Sequence, residues 1–167
     1  EWVKSFGGGQ IIEPDGTISI NNDKAVAALN LAKSWVGTIS PEGVLSYQEE
    51  EARGVWQSGN AVFMRNWPYA YTSSQDSENI PAFGVAPLPA GDAGIGASTL
   101  GGWHIGVSKY SENPAAAAAF ATYMTSVEGQ KIYSIMTSSP PAAVELYEDP
   151  DIQEAMPFAS TDIVSIT

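Results

Sequence analysis

Few residues in this chain have types and spacing suited to chemistry, and most of those are aromatic. The run Asn66-Trp67-Pro68-Tyr69-Ala70-Tyr71 gathers Trp67, Tyr69 and Tyr71 into six residues, and Gly101-Gly102-Trp103 places an indole directly after two glycines. A closed core favours Leu, Ile, Val and Phe. Trp and Tyr carry polar atoms that need partners, so they collect where one side is wet. A flat ring beside glycine backbone suits a sugar. The C–H patches of a pyranose lie on the ring, and its hydroxyls require hydrogen bonds, since a buried partner left unpaired costs about 1–3 kcal/mol. Gly101 and Gly102 would let main-chain N–H groups come close to such a ligand. Packing of the same rings in a core is the competing explanation, and at this level both stand.

Other chemistry is poorly supported. The sequence has no GxSxG elbow, phosphate loop, HExxH or dinucleotide fingerprint. Its one histidine, His104, sits beside Trp103 in a predicted strand, where a packed or solvent-facing role is the ordinary one. Glu49, Glu50 and Glu51 are consecutive, so on a helix they point in different directions and do not form a paired carboxylate site. A solvated helix face with one member bonding back is the simpler reading. Nothing has the spacing of a metal site, and no cofactor is expected.

Composition narrows the partners. With seven Lys and Arg against a formal net charge of -12, nucleic acid and anionic membrane surfaces are disfavoured. The acidity itself is accounted for by solubility. The absence of cysteine removes disulfides, thiolate metal sites and Cys catalysis, and leaves the compartment open. At 167 residues with 44% apolar and 16% charged residues, the chain suits one domain with a real core. The opening Glu-Trp-Val-Lys-Ser-Phe-Gly-Gly-Gly reads as the middle of a helix running into a loop. The start is therefore expected to be a processing point or an imposed boundary, and lack of a leader says nothing about secretion.

The elements that must position these residues alternate between helix and strand patterns. Pro14-Asp15-Gly16 predicts a turn, and Thr17 to Ile20 a short strand. Asn21 and Asn22 are N-cap candidates for a helix over Asp23–Val36 that Gly37 ends; a second helix is predicted over Tyr47–Ser58 with Gly59 as its stop. Ala61 to Met64, Phe83 to Pro89 and Trp103 to Val107 read as strands, and Pro68 opens a helical turn. Ala90 to Ser98 is a Gly-rich surface loop expected to be mobile. Asn113 and Pro114 predict the start of an Ala-rich helix packing closely on a neighbour. Thr125 and Glu128 have capping-box spacing for the next helix, to about Met136, and a last short helix begins near Pro150. The class is α/β with a mixed sheet.

At these residues the chain resembles the family-1 extracellular solute-binding proteins that serve ABC-type sugar importers. The resemblance is carried by the stretch from Glu49 to Tyr71, by Leu100 to Ser126 with its Gly-Gly-Trp, Ser-Lys-x-Ser-x-Asn-Pro link and Ala-rich helix, and by Leu146 to Pro150. It is nearest to members for maltose, trehalose and related glucosides. It implies a type II periplasmic-binding-protein-like fold, here mostly the C-terminal lobe, with segments that would cross to an N-terminal lobe this chain lacks. The implied division is a ligand-binding lobe over residues 1–100, crossing helices over 101–140 and a return segment over 141–167. The implied ligand contacts are Trp67, Tyr69 and Trp103, with Gly101 and Gly102 offering backbone; Tyr71 either joins them or faces the core, and Arg65 pairs structurally. Where several relatives carry a Pro-Thr-Arg whose Arg reaches the ligand, this chain reads Pro141-Ala142-Ala143, so that contact is lost and the exact sugar stays open.

The resemblance further implies capture without catalysis, a membrane permease as partner, and a periplasmic or extracellular location, lipid-anchored or not. Helices from about Pro114 to Met136 would lack their packing partner, so self-association of this chain is expected. Three other readings compete: a carbohydrate-active enzyme fragment, which would need two carboxylates roughly 5–10 Å apart; a binder of a non-sugar solute on the same fold; and a plain interaction domain.

Overall fold

The structure is a computed structural model that describes residues 1–80, 82–91, 94 and 96–159. Two compact units divide these residues: one is built from residues 1–66 and 86–99, the other from 67–85 and 100–159. The Gly-rich loop expected at 90–98 falls partly on Asp92, Ala93 and Ile95, and the return segment partly on 160–167; both parts lie outside the described residues.

In the first unit, α1 (Trp2–Ser5) packs against α2 (Asp23–Trp35). The indole rings of Trp2 and Trp35 meet edge to face with centroids 5.1 Å apart. Of the two predicted caps, Asn22 is the one used. Its side-chain oxygen accepts from the Ala25 N–H at 3.0 Å, while its amide donates to the Gly8 and Ser19 carbonyls. The predicted turn forms, with the Gly16 N–H on the Glu13 carbonyl at 2.9 Å. Helix α3 (Glu49–Gln57) starts two residues later than predicted, because Glu51 reaches back to the Gln48 N–H at 3.0 Å. Gly59, at φ +77°, ends α3 as expected. Its N–H bonds the Trp56 carbonyl and that of Asn60 bonds Val55, the double closure that glycine permits. Arg65 clasps Glu1 through Nε and Nη2 at 2.9 and 2.5 Å, and Thr99 N–H donates to the same carboxylate at 3.1 Å. Burial raises the Glu1 pKa, but the bonds and charge of Arg65 and the bonds from Thr99 outweigh it and hold the carboxyl below its ordinary value.

In the second unit, two short 3-10 turns, Pro68–Ala70 and Thr72–Ser74, precede α4 (Pro114–Met124) and α5 (Val127–Thr137). A 3-10 turn at Val144–Glu148 then leads into α6 (Pro150–Ala155), capped by Asp149 through the Asp151 N–H at 2.9 Å. The core of this unit is Leu146, Ile152, Met156, Phe158 and Ala159, with Tyr71, Ala143 and Tyr147 packed against it. Lys131 on α5 bonds Asp149 and Asp151, both at 2.7 Å, and so ties α5 to the start of α6.

Several local expectations are corrected. Asn113 makes no side-chain cap; Pro114 has no N–H to satisfy, and the helix begins with Ala117 N–H on the Asn113 carbonyl. The cap of α5 is Ser126, whose hydroxyl accepts from Gly129 N–H at 3.1 Å, and not Thr125. Thr125 is still helical in backbone and spends its hydroxyl on the Ala121 and Thr122 carbonyls. The Ala-rich helix α4 touches α5 yet buries no residue, so the expected close packing is absent. No strand ladder occurs among the described residues, whose one bridge joins Val36 and Ser40. The segments predicted as strands have strand-type residues, but a strand is a property of a pair. Val62 and Phe63 are 83% and 91% exposed, with no neighbouring segment in register. Among the described residues the expected class is therefore represented by its helices, and the segments read as strands are unpaired.

Candidate functional site

The aromatic run folds as a tight helical turn because Pro68 presets the backbone at its first position. Ala70 N–H bonds the Trp67 carbonyl at 3.1 Å and Tyr71 N–H the Pro68 carbonyl at 2.9 Å. Ala70 is buried beneath the turn, whereas Trp67 and Tyr69 are half-buried. Tyr71 takes the inward option. Its ring meets Phe83 and Phe158 edge to face, at 5.5 and 5.0 Å between centroids, and joins the core of the second unit. Tyr71 thus anchors the turn that carries Trp67 and Tyr69.

The second block comes to the same turn through glycine. A Cβ at Gly101 would lie 2.8 Å from Cη2 and 2.9 Å from Cζ3 of Trp67, closer than side chains pack. Only glycine lets the main chain lie this near the indole. Gly102, by contrast, faces open space. Trp103 is 96% exposed, and every residue from 101 to 110, His104 included, is exposed. The structure therefore brings Trp67, Tyr69 and Gly101 to one turn, leaves Trp103 open to solvent beside them in sequence, and assigns Tyr71 to packing.

Sequence reasoning missed two supports of this region. Gln130 on α5 accepts the Ala142 and Ala143 N–H groups on one oxygen at 2.9 and 3.0 Å, pinning the Pro141-Ala142-Ala143 segment. Thr72 and Ser138 join their hydroxyls. Neither has a sequence signal, because each depends on a contact between elements. The acidic triplet behaves as a solvated helix face: Glu50 pairs with Arg53 and Glu51 with the Gln48 N–H. Among the described residues no three metal-ligating side chains converge, and no helix is long and apolar enough to cross a membrane.

The chain belongs to the bacterial extracellular solute-binding proteins, whose family model matches residues 1–131. It is 49% identical over 160 residues to a probable ABC transporter-binding protein of Deinococcus radiodurans, covering 95% of this chain and 38% of that protein. A solved maltose-bound T. maritima MalE3 superposes with a TM-score of 0.88 at 40% identity, over 99% of this chain and 44% of that one. A solute-binding protein from Agrobacterium radiobacter K84 in complex with ribitol shares the fold, with a TM-score of 0.76 at 19% identity over 98% and 42% of the two chains. The type II binding-protein class expected from the resemblance is thus the class of its structural neighbours, and these are binding proteins rather than enzymes. The chain spans about two fifths of the length of the relatives it matches.

Proposed function

We propose that this chain is the later portion of the substrate-binding component of an ABC sugar importer. It captures a mono- or oligosaccharide on an aromatic surface for delivery to membrane permease subunits, in the periplasm or outside the cell. In this reading Trp67 and Tyr69 stack on the sugar, Trp103 closes on a second ring face, and Gly101 and Gly102 offer main-chain bonds. Tyr71 serves the site from behind, as the anchor of the turn. The observation that carries the reading is the pairing of a glycine backbone against Trp67 with a fully exposed Trp103 two residues on. Indole surface left in water is costly unless a partner covers it. The maltose held by a neighbour of 40% identity supports a saccharide as that partner.

The same reading accounts for the unpaired strand-type segments and the exposed rings of α4 and α5, where Phe120, Tyr123 and Tyr133 are 59%, 44% and 43% exposed. Their partners would belong to the rest of a longer chain, with 101–140 as crossing helices and 141–167 as the return to the ligand lobe. Without that covering, the helices favour self-association of this chain.

The test is a titration with maltose, trehalose, glucose, ribitol and amino acids, followed by tryptophan fluorescence. A saturable change with a glucoside that Trp67→Phe and Trp103→Phe each diminish supports the reading. A response to amino acids alone would replace the saccharide with another solute, and maltose cleavage in the mixture would restore the enzyme reading.

A further inference from the structure

We infer that the Thr72–Ser138 hydroxyl pair is a positioning device for the aromatic turn, fixing where Trp67 stands; its consequence for sugar affinity rests on the saccharide reading above. Ser138 follows the last residue of α5 with φ +50° and ψ +30°, the one non-glycine residue at positive φ among those described. That conformation crowds any Cβ, and helices commonly end there on glycine. Glycine would relieve the crowding, so a serine here is explained by something glycine lacks. The Ser138 side chain is 0% exposed, and its hydroxyl meets that of Thr72 on the turn just after Tyr71.

The turn needs such a tie. It is made of successive i to i+3 bonds, Ala70 on Trp67, Tyr71 on Pro68, Ser74 on Tyr71 and Gln75 on Thr72, whose geometry is poorer than that of an α-helix. Two anchors act on neighbouring residues. The Tyr71 ring holds the turn to the core by apolar contact, which fixes depth but little direction. The Thr72 hydroxyl is directional and bonds a group whose own position is set by the end of an eleven-residue helix. Ser74 and Ser134, on the turn and on α5, are buried at 0% and 1%, and small side chains on both elements let them approach closely. Together the two anchors leave Trp67, four residues before Tyr71, with one orientation against Gly101.

The experiment labels the chain with 5-fluorotryptophan and records fluorine NMR spectra. Its five tryptophans give five resonances, assigned by single Trp→Phe changes. Thr72→Val keeps the side-chain shape without the hydroxyl, and Ser138→Gly removes the hydroxyl while relieving the backbone. Each is expected to move the Trp67 resonance and leave those of Trp2, Trp35 and Trp56 in place, with Thr72→Ser restoring it. Maltose, titrated in the same samples, should bind the two variants about three- to tenfold more weakly, as for loss of one hydrogen bond's worth of order. An unmoved Trp67 resonance in the folded variants overturns the inference. So does a common shift of all five resonances, which would make the pair a support of the whole fold. If the Trp67 resonance moves selectively while neither this chain nor the longer protein of which it is read as a portion binds sugar, the saccharide reading falls and the positioning stands.

Discussion

The two segments that carry the candidate aromatic rings are held in opposite ways. The turn at 67–75 is fixed by its own backbone bonds, by Tyr71 in the core and by Thr72 on Ser138. The segment at 101–110 touches the turn at Gly101 and is otherwise exposed along its whole length, although Trp103, Ile105 and Val107 alternate as a strand would. The difference lies in where each segment's partners are. A helical turn satisfies itself within a few residues, and its anchors lie on elements of the same unit. A strand satisfies itself only against another strand. The anchored segment thus has its partners within its own unit, while the exposed one has no paired neighbour among the described residues.

The largest effect that would break this contrast is on stability. Tyr71→Ala removes a ring wedged between Phe83 and Phe158 and should lower unfolding stability by about 2–4 kcal/mol. Trp103→Ala removes a larger side chain from solvent and should change stability by no more than about 0.5 kcal/mol. Urea unfolding of the two variants checks both. Equal losses would mean that Trp103 is packed in solution, and the contrast would be wrong.

A smaller effect separates the two glycines. Gly101→Ala drives a methyl into the Trp67 ring, which must swing aside, at a cost of about 1 kcal/mol and with a shift in tryptophan emission. Gly102→Ala meets nothing and should leave stability and emission unchanged. If both behave alike, Gly101 does not lie against the indole, and the contact joining the two segments is lost from the account.

The same contrast explains what was legible in the sequence. Caps and stops such as Asn22 and Gly59 act over three or four residues, so the helices were readable to within two or three residues. At Thr125 the reading slipped because Ser126 offers the same chemistry one step along; at Asn113 the helix starts where expected, but without a side-chain bond. The strand patterns were legible as patterns, but pairing is a long-range property that a period of two does not contain. For the site, the residue types of Trp67, Tyr69, Gly101 and Trp103 were visible. The inward turn of Tyr71 was one of two open options, and the Thr72–Ser138 and Gln130 ties left no trace in the sequence, because they join residues 12 to 66 positions apart.

The smallest effect concerns the tie between α5 and α6 that backs the anchored segment. The Lys131 hydrogen bond, ahead of its charge, holds the Asp149 carboxyl below its ordinary value, while bonds to Asp149 and Asp151 raise the Lys131 pKa. A carboxyl with a depressed folded pKa contributes stability above its unfolded pKa, near 3.8 here, and loses it as pH falls through the folded value. A lysine with a raised pKa contributes below its unfolded value, 10.5, and loses it as pH rises through the folded one. The pair therefore acts between those limits and fades outside them. Asp149→Asn keeps an oxygen to cap the Asp151 N–H but removes the charge. Its urea midpoint should fall less steeply than that of the unchanged chain as pH drops below about 4. Side chains 31% and 22% exposed are screened, so the difference should be slight and vanish in high salt. Parallel acid profiles at low salt would show that the tie contributes nothing, leaving the anchored segment to the core and to Thr72 alone.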